Sequence, residues 1–416
     1  MKTTRVDLSG ITTDVLIIGG GPAGLTAALA LRKRGVKVTV ADARKPPIDK
    51  ACGEGIMPDS LRELATLGVD LTPEDGAPFQ GIRFVNHGSE PGTMRIRGMA
   101  TAEFPEDKRF PSNVGVGLHR LRLHEKLVNA AEGAGVELRW QTQAQLKRDG
   151  HVIAHGCQAK YGWLIGADGQ SSPVRAWADL DRGRILTQRF GFRQHFRVKP
   201  WSPYVEVHWG RMGQAYVTPV AENEVCVAVM TRHPRLRLGA ILEDLPILRE
   251  RLAGGLEMPL DALDAERGAL TTTRRLRQVA RGRVALVGDA SGSADAITGE
   301  GMGMGFRQGL LLAECIGDWD RGGMARYNQL HPKILQLPQT MARIMLLMDR
   351  WEGFRDRAIA VLGEKPGLFA RMLGVHLGVE AMPRFLAAKG FEVAWRLASI
   401  RTDDDGYGKE ALAAKF

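Results

Sequence analysis

Three features of this sequence predict an α/β protein with a Rossmann-like nucleotide-binding domain, an inserted antiparallel β-sheet and a C-terminal helical segment. An apolar run at 15–18 leads directly into Gly19-Gly20-Gly21-Pro22-Ala23-Gly24. The middle of the chain alternates apolar and polar residues with period two. Beyond about residue 325 the pattern turns helical, with mixed basic and apolar faces.

The 416 residues suffice for two or three such units, and 44% hydrophobic with 25% charged residues is ordinary globular composition. Lys and Arg outnumber Asp and Glu by 57 to 47, a net charge of +10, yet no basic block marks a nucleic-acid arm, so no nucleic-acid partner is expected. Cys52, Cys157, Cys226 and Cys315 stand 105, 69 and 89 residues apart, which offers no zinc knuckle or redox dithiol. No metal and a reducing, cytoplasmic setting are expected. The most apolar stretch, 14–31, is interrupted by glycines and a proline and followed by Arg32-Lys33-Arg34, which fits neither a spanning helix nor a cleaved leader.

The first element is a strand buried on both faces, then a turn of the form G-x-G-x-x-G. Gly19 permits the tight turn, Gly21 lets a pyrophosphate approach the backbone, and Gly24 lets a helix over 25–34 pack on the strand. Pro22 and Ala23 lie in the turn before that helix and count with it as cofactor-binding, since the helix N-terminus favours phosphate. A second strand over 36–40 ends at Asp42, 18 residues past Gly24, where a carboxylate can hold ribose hydroxyls, with Ala43 and Arg44 beside it.

Next comes Lys50-Ala51-Cys52-Gly53-Glu54-Gly55-Ile56-Met57-Pro58, in which two glycines around Glu54 describe backbone folded closely against something flat, before a helix over 59–67. Arg120 heads a helix in which Leu123 and Leu127 share the packed face. An apolar strand at 163–166 runs into Asp168-Gly169, and one at 284–287 runs into Gly288-Asp289 and then Thr298-Gly299-Glu300-Gly301-Met302-Gly303. Between these, 190–198, 204–210, 214–220 and 224–230 read as strands. Alternation puts Arg193, His195 and Arg197 on one face of their strand, and likewise pairs Glu206 with His208 and Tyr216 with Thr218.

These motifs, in this order, resemble the p-hydroxybenzoate hydroxylase-like flavoproteins, which include FAD-dependent monooxygenases, geranylgeranyl reductases and flavin-dependent halogenases. The resemblance covers about residues 12–320. It implies FAD as cofactor and NAD(P)H as co-substrate. Gly19 to Gly24 and Asp42 would then hold the ADP half of FAD. Arg120 would meet the pyrophosphate, Asp168-Gly169 would contact FAD, and Asp289 would bind its ribityl and ribose side. Thr298 to Gly303 would lie beside the isoalloxazine, as would the Cys52-Gly53 segment.

The resemblance also implies a discontinuous FAD-binding domain, 1–75, 111–180 and 273–325, a substrate-binding sheet, 76–110 and 181–272, and a helical segment, 326–416. Helices are expected over 334–359 and 366–399, their Met- and Leu-rich stripes forming a core seam, with a membrane-surface face as the sharper alternative. The tail 401–416, with its Asp403-Asp404-Asp405-Gly406 turn, reads as solvent-exposed.

Reduced flavin can return hydride to an alkene or form a C4a-hydroperoxyflavin with oxygen. Where prenyl reductases carry a Tyr-x-Trp-x-Phe-Pro pattern, this chain has Tyr216-Val217-Thr218-Pro219, a more polar wall. This favours an NAD(P)H-dependent monooxygenase acting on a partly polar, aromatic or polyketide-like small molecule. The alternative is an ene reductase acting on a prenyl or lipid chain. The halogenase signature Trp-x-Trp-x-Ile-Pro is missing, and a non-catalytic FAD-binding module is the remaining alternative. The candidate catalytic groups are His195, His208 and Tyr216 as proton donors and Cys52 as a redox group. The oligomeric state stays open.

Overall fold

The structure, a computed structural model, describes residues 11–72, 74–88, 95–109, 113–147, 151–154, 157–254 and 259–400. The expected exposed tail, 401–416, lies outside the described residues.

The strand Thr12–Ile18 sits inside a six-stranded sheet, with Val15, Leu16 and Ile17 wholly buried. It pairs in parallel with Lys160–Gly166 on one side and Val38–Ala41 on the other, so that Val15 faces Trp163 and Val38. Glu137–Arg139 extends one edge and Val284–Leu286 the other, both in parallel, and an antiparallel Ala280–Arg281 closes the sheet. The helix Pro22–Arg32 starts three residues earlier than the pattern predicts, because Pro22 serves as its first residue and Gly21 as its extended cap. It packs between the helices Arg120–Gly133 and Gly301–Ile316. Small residues allow that contact: a Cβ on Gly309 would meet the Ala27 backbone at 2.9 Å.

The second sheet has seven strands in the order Arg267–Leu276, Gly183–Phe196, Glu224–Thr231, Gln214–Ala221, Tyr204–Trp209, Gly81–His87 and Ile96–Glu103. All pairs are antiparallel except Tyr204–Trp209 with Gly81–His87. One face, with Ala215 and Val217, is covered by the helices Leu238–Glu243 and Pro246–Ala253 through Ile241, Leu242 and Leu248. The other face, with Phe84, Val205 and Val207, lies under the C-terminal helices through Met341, Leu362 and Phe369.

Those helices are four rather than the expected two. Gly323–Arg350 begins earlier, at a left-handed Gly322, and carries Pro332 and Pro338 inside it. Trp351, in an extended conformation, separates it from Glu352–Glu364. Pro366–His376 then ends at a turn with Gly378 at φ 70°, and Met382–Ser399 follows.

Candidate active site and cofactor cavity

A cavity of about 1240 Å³ begins at the first glycine turn, passes under the second sheet and continues between that sheet and the C-terminal helices. The turn supplies its shape. Gly19 has φ +112°, and a Cβ there would stand 2.3 Å from the Ala167 carbonyl oxygen. A Cβ on Gly24 would stand 2.0 Å from the Gly19 oxygen. Gly21 is the opposite case: it lines the cavity and a Cβ would meet nothing within 4 Å. Two glycines therefore build the turn, and the third leaves open space in front of a helix N-terminus.

Pro22, Ala23, Asp42, Ala43 and Arg44 also line this end. Asp42 is held by its own turn, accepting the Gly20 and Arg44 N–H groups at 2.8 Å each. Its oxygens retain lone pairs for ribose hydroxyls. Further along, Asp168 accepts the Val174 N–H at 3.0 Å through Oδ2, whereas its buried Oδ1 has no partner. Burial pushes the Asp168 carboxyl up, against the hydrogen bonds from Ser172 and Val174. Arg120 lines the wall with a buried Nε that is also unpartnered. Asp289 faces the cavity and pairs with Lys50 at 2.8 Å. Gly169, Gly288, Thr298, Gly299, Gly301 and Met302 complete this stretch.

Open space at Gly21, orphaned polar atoms on Asp168 and Arg120, and a carboxylate at the end of the second strand fit an adenine dinucleotide. Three residues expected at the cofactor do not line the cavity. Gly24 packs on Gly19, Gly303 packs against Ser60 Oγ at a would-be Cβ distance of 2.2 Å, and Glu300 lies one layer behind.

The Cys52–Gly55 segment forms the floor where the two sheets meet. Cys52 and Gly53 line the cavity, with Cys52 Sγ 4.0 Å from Met302 Sδ. Glu54, which also lines the cavity, takes a left-handed φ of 60° and commits its buried carboxylate to protein partners. Its Oε1 accepts the Arg120 N–H at 3.0 Å and Oε2 lies 2.7 Å from His195 Nε2. The other ring nitrogen of His195 lies 3.0 Å from Asp264. Burial pushes the imidazole down, but hydrogen bonds to Glu54 and Asp264 outweigh it and the pKa is raised.

Two of the candidate proton donors lie away from the cavity. His195 shares a face with Arg193 but sits behind the Cys52–Gly55 floor, so it positions that segment and does not line the cavity. His208 points to the opposite face of the sheet, 3.0 Å from Glu206 and 2.9 Å from His87, because Val205 and Val207 take the cavity side of its strand. Tyr216 and Thr218 do line the cavity. Their hydroxyls, however, donate to the Ile297 and Gly53 carbonyls, each at 2.7 Å, so they present carbon rather than polarity. The wall is less polar than those residue types suggest.

His376 was not signalled by the sequence. It ends the helix Pro366–His376, lines the cavity, and places Nε2 3.6 Å from Glu300 Oε2. Burial pushes Glu300 up to about 8, against the pull of Arg307, whose guanidinium also pairs with Asp59 at 2.9 Å. Burial likewise pushes His376 down to about 4. Near neutral pH the couple is therefore a protonated carboxyl beside a neutral imidazole.

Residues 12–323 match a family described as an FAD binding domain. The chain belongs to this family of FAD-dependent oxidoreductases. The flavoprotein is 26% identical over 346 residues to a menaquinone reductase of Mycolicibacterium smegmatis, covering 78% of this chain and 80% of that one. It is 27% identical over 339 residues to a digeranylgeranylglycerophospholipid reductase of Methanocella arvoryzae, covering 76% and 81%. Among solved structures, a flavoprotein/dehydrogenase of Cytophaga hutchinsonii superposes with TM-score 0.76 at 16% identity, covering 93% and 99%, and thus shares the fold.

Proposed function

We propose that this flavoprotein reduces a carbon–carbon double bond in a long apolar, isoprenoid-like chain, using reducing equivalents from NAD(P)H. The cavity beyond the Cys52–Gly55 floor carries this reading. It runs on as a tunnel walled by Val205 and Val207 of the sheet and by Met345, Met348, Phe369 and Leu373 of the C-terminal helices. Such a lining recovers free energy only from carbon, roughly 25 cal/mol per Å² removed from water, and thioether side chains adapt to a flexible chain. The names of the two reductases reported above support the same substrate class.

FAD, when bound, supplies a hydride. Reducing an alkene also requires a proton, and Glu300 holds one at neutral pH, 3.6 Å from the cavity-lining His376. His376 can pass that proton to a carbon in the tunnel and recover it from Glu300. The close-packed apolar wall excludes water from the same space.

A second reading, hydroxylation of an aromatic head whose alkyl tail fills the tunnel, has one observation in its favour. The Glu300–His376 couple would equally accept or donate a phenolic proton.

The experiment is a single turnover of dithionite-reduced holoenzyme without oxygen, in the presence of a geranylgeranylated glycerolipid, whose reducible bonds are the alkenes of its chains. Flavin reoxidation with a product two mass units heavier supports ene reduction. No anaerobic reoxidation, with an oxygen-dependent gain of sixteen mass units, would replace it with the hydroxylase reading.

A further inference from the structure

We infer that the helix Met382–Ser399 docks the enzyme on a phospholipid bilayer and opens the tunnel towards it; the inference rests on the apolar-chain substrate proposed above. From Leu386 onward the exposed positions on this helix are Leu386, Ala387, Ala388, Phe391, Ala394, Trp395 and Ala398, all uncharged, with the exposed Arg384 just before them. Phe391 is 83% exposed and Trp395 65%, and their rings stack at 6.5 Å. The arrangement is the reverse of an ordinary surface helix, which turns charge outward. An isolated exposed aromatic needs no explanation, but a continuous apolar helix face beside a cavity marks an interaction site.

The opposite side of the same helix lines the tunnel through Phe385, Gly390, Val393 and Leu397. Leu386 and Ala394 do both, lining the cavity while exposed at the surface, so the tunnel reaches the outside along this helix. A chain leaving a bilayer there would pass from one apolar medium into another.

Charge favours a membrane over a second copy of the chain. Arg384, Lys389 and Arg396 on this helix outnumber its one acidic residue, Glu392, which pairs with Lys389 at 2.7 Å and with Arg396 at 3.3 Å, so the helix stays net positive, and the whole chain carries +10. Two copies meeting face to face would oppose like charges, whereas acidic headgroups would complement them. No helix among the described residues is long and apolar enough to cross a membrane, which matches a helix lying in the interface.

The test uses the full-length, FAD-loaded protein and vesicles of phosphatidylcholine with phosphatidylglycerol. Co-sedimentation is expected, and the double variant F391A/W395A should bind about tenfold or more weakly. Its FAD content, melting temperature and turnover of a short detergent-dispersed substrate should match wild type, since neither ring lines the cavity. Failure of wild type to bind these vesicles would overturn the inference. A wild-type dimer in light scattering that the double variant turns into a monomer would also overturn it, as a subunit interface. Vesicle binding without reduction of any chain would instead leave docking standing and remove the substrate proposal.

Discussion

His195 Nε2 lies 2.7 Å from Glu54 Oε2 beneath the floor of the cavity, and this contact holds Glu54 in a left-handed conformation. A non-glycine residue at such a φ costs on the order of 1 kcal/mol or more and persists only when its surroundings fix it. The hydrogen bond, shared with the Arg120 N–H, is what fixes it here. His195→Gln should therefore loosen the Cys52–Gly55 segment and weaken FAD binding by about tenfold, read by titrating the apoprotein with FAD. Because the folded imidazole has a raised pKa, its contribution is fully present below the unfolded value of 6.5 and fades as pH rises through the folded value. The melting-temperature gap between wild type and variant should be widest in mild acid and close in alkali. A gap that widens with pH would reject this role.

Glu300 predicts a second pH signature. Its folded pKa of about 8 stands above the ordinary 4.5, so the native state binds the extra proton throughout that window. Native stability then falls as pH rises from 4.5 to 8. Glu300→Gln removes this slope and should be more stable than wild type by on the order of 2 kcal/mol at alkaline pH, with little difference in mild acid. Denaturant melts at several pH values measure it, and parallel curves would refute it.

The two ends of the glycine turn should fail differently. Gly19→Ala places a Cβ 2.3 Å from a backbone oxygen at φ +112° and should cost about 3 kcal/mol or more of stability. Gly21→Val meets no protein atom at its Cβ but occupies the space assigned to the pyrophosphate. It should fold with near-normal stability while FAD affinity falls by about a hundredfold. Normal FAD content in the Gly21 variant would mean the cofactor lies elsewhere.

On the sheet, His208→Gln and Tyr216→Phe separate a residue behind the wall from one in it. His208 should affect only stability, leaving flavin reduction and reoxidation within about twofold. Tyr216→Phe loses the 2.7 Å hydrogen bond to Ile297 on the flavin-side loop and should cost about 1 kcal/mol while retaining the shape of the cavity. Rapid-mixing kinetics on both variants would test this. A large loss of reoxidation in His208→Gln would contradict the placement of that side chain.

Tunnel length can be probed by filling it. Met345→Trp adds bulk between the sheet and the helices, and should raise KM for long-chain acceptors by about tenfold while sparing short ones and FAD binding. Equal effects on short and long acceptors would argue against a chain lying in the tunnel.

The nucleotide end was legible in the sequence because its demands are local. Gly19, Gly24 and Asp42 sit at spacings that one strand, turn and helix impose, and the structure brings them together in that unit. Period-two alternation likewise put Tyr216 and Thr218 on one face, but could not reveal that both hydroxyls are engaged by the Ile297 and Gly53 carbonyls, 81 and 165 residues away. His208 was misplaced for a related reason. Alternation pairs residues on a face without saying which face meets the ligand, and Val205 and Val207 decide that only once the helices cover them. His376 belongs to a helix with no motif of its own, and only tertiary packing sets it beside Glu300.

The buried Arg189 reaches Asp295 on the loop before Thr298 at 3.5 Å and Asp349 at the end of the helix Gly323–Arg350 at 3.7 Å, while Gln214 bonds both Arg189 and Asp349. Separating such a pair strands a charge away from water, at a cost of about 3–5 kcal/mol. The helical roof is thus riveted to the loop beneath it and cannot swing aside like a lid. On the substrate proposed above, a long chain would thread in end-on through the gap at Leu386 and Ala394, so the bonds nearest its leading tip would reach the deep end of the tunnel first.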